Sequence, residues 1–255
     1  MSGFIKDGSY YRDEFHYWYM TGFSAVNILC TGRAIDIEGG DGVGKGTQVE
    51  LMKKHLIDRG FKVVIYDFPQ YKLTFFGDKV ACFLRGEYGN LNEVHPFLAS
   101  VLYADDRAEV GYKIRGDILD GKVVLFNRYV ASNLAHGGAK FTNMDEAIKF
   151  ISVVEQMEYQ VHELPRPDMT LFLDVPAERA REMIASKGER EYVGGRSMDI
   201  AEADLSHQEK ARIMYTWLCE NRTGYRRIDC LEGGVFMSPE AIHDKLWAEV
   251  ERVLD

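Results

Sequence analysis

The sequence is short of cysteine, of long apolar runs and of net positive charge, and each shortage narrows what the chain can be. Its four cysteines, Cys30, Cys82, Cys219 and Cys230, lie far apart with no C-x-x-C pair. That argues against a zinc ribbon or a dense disulfide framework and for buried, reduced thiols. No apolar stretch approaches the roughly 18 residues of a membrane span. Near the N-terminus the best run, AVNILC at 25–30, is too short for a signal-peptide core. The expected location is therefore the cytoplasm, away from membranes. A formal net charge of −9 provides no broad basic face, which excludes a general binder of nucleic acid or anionic lipid. Any phosphate chemistry must draw on a few local cations. Internal repeats and low-complexity linkers are also missing, and no N-K-x-D guanine signature occurs, which weighs against a GTPase switch.

What remains is ordinary globular material, 46% hydrophobic and 28% charged over 255 residues, enough for one large domain with a sizeable core or for two small ones. From residue 33 onward short apolar runs alternate with longer amphipathic ones. Strands are predicted at 33–38, 62–68, 122–127, 169–175 and 225–230, the middle ones nearly continuous in Val, Ile, Leu and Phe, as suits a parallel sheet covered on both faces. Helices are predicted after the first strand as far as Gly60, at 96–119 with Pro96 in its first turn, at 143–162, at 199–221, and from a Ser238 N-cap with Pro239 at the first helical position. Strands alternating with helices predict an α/β fold, three-layer α/β/α around a five-stranded parallel sheet with right-handed crossovers. Residues 1–32, rich in Tyr, Phe, Trp and Gly, show no clear period and are read as an extension of unknown role. Residues 187–198, KGEREYVGGRSM, are polar and glycine-containing and read as a mobile flap.

The chemistry concentrates in IEGGDGVGKGTQ at 37–48. Gly39, four residues, Gly44 and Lys45 have the spacing of a phosphate-binding loop, in which main-chain N–H groups cradle phosphates and the lysine reaches the outer ones. The context fits, because a strand precedes the loop and a helix follows, aiming the helix N-terminus at the anion. Gly39, Gly40, Gly42 and Gly44 permit close backbone approach. Where such loops usually carry Ser or Thr after the lysine to hold Mg²⁺, this one has Gly46, with Thr47 one step later.

The GKGTQ segment resembles the loop of adenylate-kinase-type nucleoside monophosphate kinases, and EGGDGVGKGTQ as a whole is similar to that of the thymidylate kinases. The resemblance extends over about 33–255, through DFPQY at 67–71, ASVLYADDRAE at 99–109, NRYVASNLAHGGAK at 127–140, LPRPDMTLFLDVP at 164–176 and DIAEAD at 199–204. It implies a P-loop NTPase-type kinase domain at 33–255 with a mobile lid at about 187–198. It also implies phosphorylation of dTMP by ATP with Mg²⁺ to give dTDP, and a homodimer packed through helices that include 96–119. The ATP site would comprise Gly39, Gly40, Asp41, Gly42, Val43, Gly44, Lys45, Gly46 and Thr47. The substrate site would comprise Asp41 on the sugar 3′-hydroxyl, Phe68 and Pro69, Tyr103 stacked on the base with Arg107 beside it, Arg128 on the monophosphate, and Ser132 and His136 near the base and sugar. Lys45, Arg128, Arg190 and Arg196 are the candidate catalytic residues. The two lid arginines matter because the loop between Gly39 and Lys45 contains none.

Three positions depart from the family pattern. Asn127 replaces the aspartate of D-R-Y that organises Mg²⁺ through water, and an amide can still bond a metal-bound water but carries no charge. The arginine often found after F-P is absent, with Gln70, Tyr71 and Lys72 there instead. Gly137 stands where a polar residue is expected after His136. These departures leave open a preference for another monophosphate, such as dUMP or a modified pyrimidine, or a degenerate protein that binds nucleotide without turnover.

Overall fold

The chain was analysed as a computed structural model, which describes residues 32–184, 201 and 204–254. The expected extension up to residue 31 and the expected flap at 187–198, with Arg190 and Arg196, lie outside the described residues.

Five parallel strands form the central sheet: β1 (Arg33–Gly39), β2 (Val63–Asp67), β3 (Val123–Asn127), β4 (Met169–Asp174) and β5 (Tyr225–Asp229), in the order β2-β3-β1-β4-β5. Each predicted strand is present, within a residue of its expected ends. Around the sheet lie α1 (Lys45–Asp58), α2 (Phe75–Leu84), α3 (Pro96–Leu119), α4 (Val130–Gly138), α5 (Met144–Gln156), α6 (Ala177–Ile184), α7 (Leu205–Asn221) and α8 (Pro239–Leu254). Of these, α2, α4 and α6 were not expected. They are short, 10, 9 and 8 residues, and two to three turns are too few to declare a helical period.

Two helix boundaries differ from expectation. The helix expected over 143–162 stops at Gln156 and gives way to a π turn, Met157–Val161. The helix expected from 199 begins at Leu205, where the Asp204 carboxylate accepts from the His207 N–H at 3.0 Å and so caps it. By contrast α3 has its expected limits, and the Ser238 hydroxyl accepts from the Ala241 N–H at the start of α8 as foreseen. A small hairpin, β6 (Leu231–Glu232) and β7 (Val235–Phe236), turns at Gly233 and Gly234, both at positive φ.

Alternation along the strands divides the interior in two. Ile35, Ile37, Leu125, Leu171 and Leu173 pack with Met52 and Leu56 of α1 and Leu246 and Val250 of α8. Ala34, Val124, Phe126 and Phe172 face the other way, onto Ile114 of α3, Leu134 of α4, Ile151 of α5 and Leu218 of α7. Burial of each such Ile or Leu is worth about 1.5–3 kcal/mol. The chain leaves β1 to form β2 on one side and later β4 on the other, so a crevice opens at the carboxyl end of β1, where ligands bind in sheets of this kind. Gly39, Asp67 and Asn127 end their strands at that edge. No helix among the described residues is long and apolar enough to cross a membrane.

Candidate active site

The glycine loop joins β1 directly to α1. Gly44 occupies the N-cap position at φ +96, a left-handed conformation that favours glycine, and no side chain caps the helix. The first main-chain N–H groups of α1 are thus left for an external acceptor, and the helix dipole favours an anionic one. Gly39 is needed for space, since a Cβ there would lie 2.9 Å from Val43 Cγ2 and 3.0 Å from the Leu173 carbonyl oxygen. Val43 itself points into the core, so only its backbone can serve a phosphate. Lys45 folds back along the loop, donating from Nζ to the carbonyls of Gly39 at 3.0 Å and Gly40 at 2.6 Å. Gly46 and Thr47 follow in the exposed first turn of α1.

Arg128 stands immediately past β3 at φ +67, a left-handed conformation costing about 1–3 kcal/mol for a residue with a Cβ. Three contacts hold it. Its N–H donates to the Ile37 carbonyl at 3.1 Å, Nη1 donates to Ser132 Oγ at 3.1 Å, and Nη2 is paired with Asp41. Burial works against charge at both members of that pair. The facing Asp41 nevertheless lifts Arg128 well above its ordinary value, while Arg128, Lys45 and His136 hold Asp41 below the usual carboxylate range. Both are charged at neutral pH. Beneath them Glu38, fully buried, accepts from the N–H groups of Tyr129 and Ser132 at 2.8 and 2.9 Å and from the hydroxyls of Ser132 and Tyr215 at 2.6 and 2.7 Å. This carboxylate caps α4 and fixes Ser132 against Arg128.

Loop and arginine open onto one cavity of about 430 Å³. Asp41, Gly42, Gly44, Lys45 and Gly46 line one end, with Arg128 and Ser132 beside them. Phe68, Pro69, Tyr103, Arg107 and His136 line the remainder. Gly39, Gly40, Val43 and Thr47 are absent from the lining, because the first three form the back of the loop and Thr47 faces outward. The Phe68–Pro69 bond is cis, and Asp106 on α3 anchors the segment that follows, accepting from the Gln70 N–H at 3.0 Å and from the Thr74 hydroxyl. Tyr103 meets Phe83 edge-on at 6.4 Å between ring centres. Arg107 is only 2% exposed and is paired with Glu158.

The departures from the family pattern each have a structural setting. Asn127 is the register partner of Asp67 on the neighbouring strand and hydrogen-bonds its carboxylate, while Asn127 Oδ1 is buried with no hydrogen-bond partner. A carboxyl group is thus present beside Asn127, one strand over. Burial raises the Asp67 carboxyl above its ordinary value, against the pull of Arg128 and Lys45. A carboxyl oxygen beside an unsatisfied amide oxygen fits Mg²⁺ or the waters it carries. At Gly137 any side chain would run into the Phe150 ring of α5, so only glycine fits where α4 packs against that ring. In place of an arginine after F-P, the Gln70 backbone is tied to Asp106, Tyr71 lines the cavity and Lys72 is exposed.

His136 and His207 approach at 3.4 Å, Nδ1 to Nε2, at the cavity wall. Burial, with Arg128 and His207 nearby, drives His136 well below its ordinary value, and burial with Lys140 nearby brings His207 down to about 4. Both are neutral at pH 7, so His136 offers hydrogen bonds, not charge. Sequence reasoning missed Glu38, Asp67, Asn133, Glu158 and His207. Glu38 had a detectable signal, since with Asp36 it puts two carboxylates on one face of a strand whose other face is Ile35 and Ile37. The others depend on partners 25 to 71 residues away or across the sheet.

An uncapped glycine loop at the carboxyl edge of a parallel sheet, sharing one cavity with a strained, ion-paired arginine, defines a P-loop phosphotransferase of the nucleoside monophosphate kinase type. Comparison with known proteins narrows the class. The sequence profile of thymidylate kinase matches residues 37–230. A thymidylate kinase of Mycobacterium tuberculosis (strain CDC 1551 / Oshkosh) is 34% identical over 192 residues, 75% of this chain and 88% of that protein. One from Thermoanaerobacter sp. (strain X514) is 30% identical over 161 residues, 63% and 72% respectively. A solved thymidylate kinase from Candida albicans, 22% identical, shares the fold with a TM-score of 0.63 over 87% of this chain and 92% of that one. The chain belongs to the thymidylate kinase family.

Proposed function

We infer that the protein phosphorylates dTMP at the expense of ATP. The observation that carries this reading is the single cavity, with Lys45 and the open N-terminus of α1 at one end and Arg128, Tyr103 and Arg107 along the rest. A phosphate oxygen of dTMP attacks the γ-phosphorus of ATP, and the bond to the β–γ bridging oxygen breaks, giving dTDP and ADP. Such a transfer needs positive charge where negative charge gathers, and exclusion of water. Loop N–H groups and Lys45 hold the donor phosphates, and Arg128 grips the acceptor phosphate while Asp41 orients the sugar. Phe68, Pro69 and Tyr103 sandwich the base, with Ser132 and His136 flanking it. Lys45 gives up its carbonyl partners at Gly39 and Gly40 for phosphate oxygens. The family resemblance adds Arg190 and Arg196 as catalytic candidates, and both lie outside the described residues.

Asp67 and Asn127 are the residues that would hold Mg²⁺, which would supply charge neutralisation for the transferring phosphate. The protein acts as a cytoplasmic homodimer. Leu98, Tyr112 and Leu119 support the dimer, being exposed by 61–63% along one stripe of α3. The test is ADP release from ATP and Mg²⁺ with dTMP, dUMP, dCMP, dGMP, AMP and CMP as separate acceptors, with Lys45→Ala as control. Turnover highest with dTMP and lost in the control is expected. A different best acceptor would reassign the substrate, and nucleotide binding without any turnover would make the protein a binding module.

A further inference from the structure

Glu158 sits in the π turn Met157–Val161 that interrupts the end of α5, and it is fully buried. Such turns are uncommon and recur at functional sites. Here the turn directs a carboxylate at two residues of the cavity wall, Arg107 and Asn133. Glu158 Oε2 accepts from Arg107 Nε at 2.9 Å, and Oε1 accepts from Arg107 Nη2 and also from Asn133 Nδ2 at 2.8 Å. The second Nδ2 hydrogen of Asn133 goes to the Ser100 carbonyl at 3.0 Å.

These bonds fix polarity as well as position. Ser100 O and the Glu158 carboxylate can only accept, so the Asn133 amide must turn its NH₂ toward both of them. Its carbonyl oxygen Oδ1 is then the group it can offer the cavity. Arg107 has three of its nitrogens engaged, Nη1 with the Tyr129 carbonyl at 3.3 Å, yet keeps one hydrogen on Nη1 and one on Nη2. Asn133 and Arg107 are neighbours, because both bond the same oxygen of Glu158. The wall therefore presents an acceptor next to a donor. Thymine and uracil match it with N3–H and O4, whereas cytosine opposes it with a bare N3 and an N4 amino group.

We propose that Glu158 is the positioning residue for base selectivity: without touching substrate, it locks Asn133 and Arg107 into a pattern that accepts thymine or uracil and rejects cytosine. The proposal rests on the reading above that a pyrimidine monophosphate occupies this end of the cavity. Glu158→Gln keeps size and shape but puts an N–H against either Arg107 or Asn133, loosening the lock.

The experiment measures binding of dTMP, dUMP and dCMP by calorimetry and kcat/KM for each, on the full chain, for wild type, Glu158→Gln, Asn133→Ala and the double variant, with melting curves on the same samples. Wild type is expected to favour dTMP and dUMP over dCMP by about 5- to 150-fold, the span of a well-formed bidentate pair. Glu158→Gln is expected to narrow that ratio by about tenfold, through a higher KM for dTMP more than a lower kcat. Asn133→Ala should narrow it similarly, and the double variant no further. A folded Glu158→Gln protein with an unchanged ratio overturns the proposal, as do strictly additive effects. Should Glu158→Gln fail to fold, an unchanged ratio in Asn133→Ala overturns it instead. Selective binding without turnover in wild type supports this inference while removing the proposed reaction. Turnover of dTMP and dCMP alike does the reverse.

Discussion

At the phosphate-loop end the cavity is lined by Asp41, Gly42, Gly44, Lys45 and Gly46, where the loop runs into α1, whereas at the base end it is lined by side chains from α3 and α4 that the π turn holds from behind. The first end is local. Its geometry follows from glycine φ values and a helix terminus, to which the side chains of Asp41 and Lys45, from the same short stretch of chain, add charge. The second end is cooperative. Arg107, Asn133, Ser100 and Glu158 satisfy one another, and removing a member leaves a buried charge or hydrogen-bonding group without a partner. Damage to the loop should therefore cost activity and spare the fold, and damage to the base end should cost both.

The sharpest challenge to that contrast is Arg107→Leu. It strands Glu158 in the core, and about 3–5 kcal/mol of stability should be lost, measured by urea unfolding. A loss under about 1 kcal/mol would mean that the base end is not an interdependent network. Lys45→Ala tests the other half. Turnover should fall about 10²–10³-fold, the usual cost of one preorganised donor, with a urea midpoint close to wild type. Marked destabilisation would show the loop to be held together by its lysine.

Acid should act on the wall between the two ends. His207 in the folded protein has a value of about 4 against an ordinary 6.5, so the unfolded chain takes up its proton first as pH falls. Stability is then lost progressively from about pH 6.5 down to about pH 4, by up to about 3 kcal/mol for this group. His207→Asn should flatten that part of the curve of unfolding free energy against pH, and an unchanged slope would rule the histidine out. The smallest effect is expected from Gly137→Ala, about 1–3 kcal/mol from the clash with Phe150. Adding Phe150→Leu should recover part of it, and no recovery in the double variant would place the strain elsewhere.

The strand-helix rhythm, the loop at 37–48 and the limits of α3 were readable in the amino-acid order, because each rests on contacts within a few residues: alternating apolar burial, glycine conformation, and a proline that starts a helix. The Asp67–Asn127 pairing was not readable, since those residues are 60 positions apart and meet only through the parallel register of β2 and β3. Gly137 reads in the sequence as a lost contact, whereas in the fold the Phe150 ring fills the space a side chain there would take. Glu158 carried no signal in a stretch read as plain helix, and the π turn that aims it inward depends on packing against α3 and α4. Local chain chemistry thus set the fold class and the phosphate end of the site. The folded arrangement alone chose the partners of buried charges, because in a low-dielectric interior each charge must be met by whatever the topology brings beside it.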